Sequence, residues 1–116
     1  MRQPDEAVLL DMLLFGRRIR DRMAGVSYDE FDQDVDLQLA ITYLIQIVGE
    51  AASRASEPLR GSYPQVPWTQ IVGMRHRLVH DYLRVRIDVL WRTATDDIPP
   101  LVAILESIVP REPDTS

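Results

Sequence analysis

A chain of 116 residues has room for one domain around one core and none for a second catalytic module. With 46% hydrophobic and 27% charged residues it has the composition of an ordinary soluble globule, and the absence of cysteine excludes disulfides, thiol catalysis, iron-sulfur clusters and cysteine-ligated zinc. The net charge of -5 argues against nonspecific coating of nucleic acid, which rests on a net basic surface.

From Asp5 to about Ala24, Val8, Met12, Phe15, Ile19 and Met23 fall on one helical stripe, and Gly25 ends that first helix. Ser27 with Glu30 three positions later has the form of a capping box, so a short helix is expected from Tyr28. An acidic stretch, Asp29 to Asp36, leads into a long helix over roughly Val35 to Glu57. Its seam is Leu37, Ile41, Leu44, Val48, Ala51 and Ala55, in heptad-like spacing. A second strip, Ala40, Tyr43 and Ile47, lies on the shoulder of that helix. In so small a chain it predicts a partner subunit.

Between Pro58 and Pro67 the periodicity is broken by Gly61, Ser62 and Pro64, which predicts the main loop. Pro67 suits the start of a third helix, over Trp68 to Leu83. A fourth begins near Arg86 with Ile87, Leu90, Trp91 and Ala94. Pro99 and Pro100 interrupt it, and Asp96 or Asp97 is placed to cap a last helix through Val109. No strand alternation, hairpin signal or repeat stands out. The expected fold is all-α, an up-and-down bundle of four or five helices over residues 1-110, with 111-116 a disordered tail. No apolar run approaches the ~18 to 20 residues of a bilayer span. The N-terminal MRQPDEAVLL lacks the pattern of a secretion signal, so a cytoplasmic location is expected.

All 13 basic residues are arginine. Two groups stand out, Arg17, Arg18, Arg20 and Arg22, then Arg75, Arg77, Arg84, Arg86 and Arg92. Arginine can fork onto phosphate, although pairing with the 18 acids is the better reading for most of them.

The segment Ile71 to Tyr82 concentrates the chemistry. On one helix, Arg75 would sit in the middle of an apolar face, flanked by Val72 and Val79 on one side and by Ile71, Leu78 and Tyr82 on the other. A buried guanidinium is costly unless it is paired or opens into a cleft. His76 and His80 would lie beside it, His80 near the helix end where the dipole favours an imidazolium. The residues alone leave a structural reading open. In that reading Arg75 bridges to Glu50, His80 is a satisfied core histidine and Tyr82 a packing aromatic. Metal binding is disfavoured, because the two histidines lack an HExxH glutamate and a third ligand. No cofactor is expected.

Arg75, His76, Arg77, Leu78, Val79, His80, Asp81 and Tyr82 resemble the signature of the HEPN superfamily, specifically the small HepT-like ribonuclease toxins encoded beside a minimal nucleotidyltransferase antitoxin. The similarity extends over nearly the whole chain, through Ile47 to Ala51, Pro67 and Trp68, Gly73 and Met74, Val85, Trp91, Asp97, Pro99 and Leu101. Three positions depart from the family pattern: His76 stands where asparagine is usual, Asp81 where glycine is, and Leu83 where an aromatic is. A carboxylate at Asp81 would raise the His80 pKa and add negative charge near any bound phosphate.

The resemblance implies a metal-independent endoribonuclease, with Arg75 and His80 catalytic and His76, Glu50 and Tyr82 supporting. The 2′-OH of RNA would attack the adjacent phosphate and leave a 2′,3′-cyclic phosphate, with histidine transferring protons and arginine holding phosphate oxygens. One His80 does not serve both sides of a phosphate, so a two-fold homodimer sharing a cleft is expected. The family also implies that the antitoxin adenylylates Tyr82, plugging the arginine cleft. The alternatives are a noncatalytic nucleotide- or RNA-binding subunit of a nucleotidyltransferase, and a degraded toxin with Asp81 as its lesion.

Overall fold

The computed structural model describes residues 3-81 and 84-109, of which 3, 4, 75, 79-81, 84 and 85 are described by backbone alone. The first helix, α1 (Gln3–Met23), buries Val8, Met12, Ile19 and Met23 along the expected stripe, together with Leu9 and Leu13. It stops at Gly25, whose φ of 78° is the left-handed conformation that glycine adopts without a Cβ penalty. The capping box forms as its spacing predicts. Ser27 Oγ accepts from the Glu30 N–H at 3.1 Å, and Glu30 Oε1 accepts from the Ser27 N–H at 3.0 Å, starting α2 (Tyr28–Gln33).

Asp34 accepts from the Leu37 N–H at 3.0 Å and opens α3 (Val35–Ser53), the central helix. Its seam residues Leu37, Ile41, Val48 and Ala51 are buried against α1 and against α5 (Trp68–Leu78). By length and mean hydropathy alone this helix could cross a membrane, although, as expected from the sequence, no unbroken apolar run of that length is present. Polar residues interrupt it and 44% of it is buried inside the bundle, so its apolarity is that of a core helix.

The long helix ends at Ser53 rather than Glu57, and part of the expected loop is helical. Ser56 Oγ accepts from the Leu59 N–H at 3.2 Å and Pro58 occupies the first turn, so Ser-Glu-Pro starts a new helix, α4 (Glu57–Ser62). Asp5 locks this cap to the start of α1. Its buried carboxylate accepts from the Ser56 hydroxyl at 2.7 Å and from the Ser56 N–H at 3.3 Å. The chain then turns into α5 through Trp68, whose Nε1–H donates to the Tyr63 carbonyl at 3.0 Å.

The main departure lies after α5. The helix ends at Leu78, not Leu83, and the chain forms a short antiparallel pair, β1 (Val79–Asp81) with β2 (Arg84–Val85), in which Val79 faces Val85. Val79, His80, Asp81 and Tyr82 are all weak helix formers, and β-branched Val79 and Val85 suit a strand pair. The Arg86 N–H donates to the Leu78 carbonyl at 2.9 Å and closes the pair onto the helix end.

The last rod runs α6 (Ile87–Arg92), a π-helical turn over Thr93–Asp97, then α7 (Ile98–Ile108). Pro99 and Pro100 both lack an N–H, so the Thr95 carbonyl has neither an α-type nor a π-type donor within the helix. Widening to a π turn moves the preceding carbonyls away from the proline rings, and the Ile98 N–H reaches back to the Thr93 carbonyl. The prolines therefore modulate the helix instead of breaking it. Asp97 holds the cap position without a side-chain cap bond. Trp91 packs edge-on against Tyr28 with centroids 5.4 Å apart, and against Phe31 at 5.5 Å. The result is an all-α bundle with one two-stranded insertion, as the sequence predicts in class. The C-terminal tail beyond Val109 lies outside the described residues.

Candidate active site

The start of the motif, on α5, is held where that helix meets the C-terminal half of α3. Gly49 of α3 allows this approach: a Cβ there would lie 3.2 Å from the Ile71 carbonyl oxygen. Arg75 stands one turn beyond Ile71, about 6 Å along α5. His76 follows it on α5 and is exposed. His80 lies on β1, past the end of the helix. The two histidines are thus not an i, i+4 pair on one rod, and the strand pair rather than helical periodicity sets the position of His80 relative to Arg75. The Arg75 and His80 side chains and all of Tyr82 lie outside the described residues, as does the expected Glu50–Arg75 bridge.

Glu50 is half-buried, next to Gly49, and its Oε1 is 3.7 Å from Nη2 of Arg54, one turn on. It lines a groove of about 450 Å³ between α1 and α3, with Asp11, Gln46, Ile47, Ala51 and Arg54. Sequence reading missed Asp11, Gln46 and Arg54. The available signal was Asp11, an acid inside the apolar run Leu9 to Phe15. A second groove of about 360 Å³ lies between α5 and α7, lined among others by Met74, Arg77, Asp96 and Asp97. No group of three or more potential metal ligands exists among the described residues.

The arginine groups are largely structural where they are described. Arg17 donates through Nε and Nη2 to Glu106 Oε2 at 3.0 and 2.8 Å, tying α1 to α7, and Arg20 contacts Asp21 and Glu106. Arg17, Arg20 and Glu106 are about 40% exposed and Asp21 is 67% exposed, so each pair contributes little to stability. Arg77 donates to the Gln70 carbonyl at 3.3 Å on its own helix. Arg86 reaches Asp88 at 3.3 Å. The Val89 N–H, assisted by the Arg86 charge, holds the Asp88 carboxyl below its ordinary value.

Comparison with known proteins resolves the family. The model of the HepT-like family, described as ribonuclease HepT-like, matches residues 12–108, from within α1 to the end of α7. The chain belongs to the HepT-like family. This is the family that the Arg75, His80 and Tyr82 spacing resembles, and the match carries the all-α bundle with it. Among relatives, the chain is 33% identical over 92 residues to the protein named "Putative RNase TTE0752" of Caldanaerobacter subterraneus subsp. tengcongensis, covering 79% of this chain and 82% of that one. It is 29% identical over 104 residues to "Putative RNase MJ1216" of Methanocaldococcus jannaschii, covering 90% and 86%. It is 31% identical over 83 residues to "Probable ribonuclease HepT" of Thermococcus cleftensis, covering 72% and 76%. No solved structure matches it.

Proposed function

We propose that this HepT-like chain is an endoribonuclease toxin that cuts RNA without a metal ion, through a cleft shared by two protomers. The observation that carries the reading is the family match across residues 12–108, which contains the whole Arg75, His80, Tyr82 series in family order. Its relatives are named as ribonucleases.

In the proposed reaction, His80 of one protomer takes the proton of the 2′-OH and the 2′-oxygen attacks the adjacent phosphorus. The P–O5′ bond then breaks, and His80 of the second protomer supplies a proton to the leaving 5′-oxygen. Arg75 stabilises the charge gathering on the nonbridging oxygens. His76 and Glu50 support the site, and the product is a 2′,3′-cyclic phosphate. DNA has no 2′-OH and survives.

Support for a second copy comes from α3. Val35, Leu39 and Tyr43 recur every four residues and are 62, 60 and 64% exposed, exposed Ala40 lies beside them, and half-buried Ile47 of the expected strip lines the groove between α1 and α3 instead. An apolar ridge on the outside of the central helix is what a two-fold partner would cover. A nucleotidyltransferase antitoxin that adenylylates Tyr82 completes the proposal, with a cytoplasmic site of action.

The test uses purified protein, chelator and RNA. Cyclic-phosphate ends, loss of at least about 100-fold in rate for His80→Ala with an unchanged melting curve, and intact DNA are expected. RNA binding without turnover, weakened chiefly by Arg75→Ala, would assign a noncatalytic binding subunit instead. Mass spectrometry of protein coexpressed with a neighbouring nucleotidyltransferase should find adenylate on Tyr82, and its absence there rejects that regulation.

A further inference from the structure

The groove between α1 and α3 shares Glu50 with the proposed cleavage site, but its other polar residues, Asp11, Gln46 and Arg54, have no part in the cleavage step. Its floor is apolar, from Ile47 and Ala51. Its walls offer two carboxylates, Asp11 and Glu50, one guanidinium, Arg54, and the Gln46 amide, which both donates and accepts. Among the described residues its lining mixes acceptors and donors over an apolar floor, a combination that suits a planar ring carrying both donors and acceptors. Asp11 is half-buried and has no hydrogen-bond or ion-pair partner among the described residues. A partly desolvated carboxylate in that state is stabilised by a donor brought by a ligand. Arg54 is 63% exposed and only 3.7 Å from Glu50, a contact loose enough to exchange for a ligand.

We propose that this groove reads a guanine base of the RNA beside the cleavage position, which rests on the ribonuclease reading above. Guanine is the RNA base that combines N1–H and N2–H₂, adjoining donors for the Asp11 carboxylate, with O6 and N7, adjoining acceptors for Arg54. Adenine and cytosine lack the paired donors, and uracil lacks the N7 acceptor. Gln46 completes the polar rim, and Ile47 and Ala51 meet the face of the ring. The groove adjoins the motif through Glu50, the neighbour of Gly49, which itself lies against Ile71 one turn from Arg75. Asp11, Gln46 and Arg54 are thus specificity residues, distinct from Arg75 and His80.

Titration of the ¹⁵N-labelled protein with nucleoside monophosphates tests this without any cleavage. GMP should shift the amides of residues 10-12 and 46-54 at concentrations where AMP, CMP and UMP do not. IMP, which lacks the N2 amino group, should bind about tenfold more weakly. Asp11→Asn keeps the shape and should erase the preference for GMP. Equal shifts with all four nucleotides, or none with GMP, would overturn the proposal. In the cleavage arm, oligonucleotides holding one guanosine should be cut at a fixed step from it by the natural chain, whereas Asp11→Asn should cut with no regard to that base. Selective GMP binding without any RNA cleavage would reject the ribonuclease reading and leave the groove assignment standing. Base-indifferent cleavage with unmoved amides would do the reverse.

Discussion

Glu30 shows how one exposed side chain couples local geometry to pH. The Ser27 N–H, and then the Ser27 hydroxyl, hold its carboxyl below the ordinary value of 4.5. A carboxylate with a depressed folded pKa contributes stability that is present above its unfolded value and is lost as pH falls through the folded one. Thermal melts should therefore show part of the acid destabilisation of the natural chain missing in Glu30→Gln. Ser27→Ala removes the hydroxyl that accepts from the Glu30 N–H and should cost about 1 kcal/mol at neutral pH. In the core, Leu105 of α7 is fully buried, and Leu105→Ala should lower the unfolding free energy by about 2 to 5 kcal/mol in urea titration. The pairing of Ser27 with Glu30 was legible because a capping box is a local pattern. Asp11 was not, because its importance comes from a groove whose other wall is about 40 positions away.

At the scale of elements, helix starts were readable and one helix end was not. Starts depend on side chains within three or four positions, as at Ser27 and Asp34. The end of α5 depends on Val79 pairing with Val85, in a segment too short to show alternation, so helical periodicity alone extends the helix to Leu83. Gly49 is the element-scale residue most directly tied to the motif. Alanine there gains about 1 kcal/mol of helix propensity, yet its Cβ would press on a backbone carbonyl within α5 at 3.2 Å. That carbonyl yields only if the helix moves. Gly49→Ala should consequently change the melting temperature little while lowering the cleavage rate severalfold, because α5 carries Arg75. A variant equal to the natural chain in both respects would show that the spacing between α3 and α5 is not critical.

For the whole molecule, the question is what covers the outer ridge of α3. Buried at its seam and apolar outside, this helix has more hydrophobic surface than one 116-residue bundle encloses. Introducing two like charges per protomer, with Leu39→Glu and Tyr43→Asp, should turn a dimer into a monomer in sedimentation velocity. Far-UV circular dichroism should be unchanged, since both side chains are already exposed in the single chain. The monomer should lose RNA cleavage if two copies of His80 are required. A monomeric natural chain that still cuts RNA would exclude the shared cleft.

The sequence by itself determined the all-α class, the capped starts of the helices, the apolar strip outside α3 and the family, because each is carried by local spacing or by an ordered series of residues. Only the tertiary structure decided that α5 stops at Leu78, that the Pro99 and Pro100 pair widens a rod instead of ending it, and that Asp11 meets Gln46 and Arg54 in one groove. Strand pairing and the packing of α1 against α3 bring together residues remote in sequence, and the proline pair, visible locally, widens the rod instead of ending it while both the π turn and α7 pack against α1.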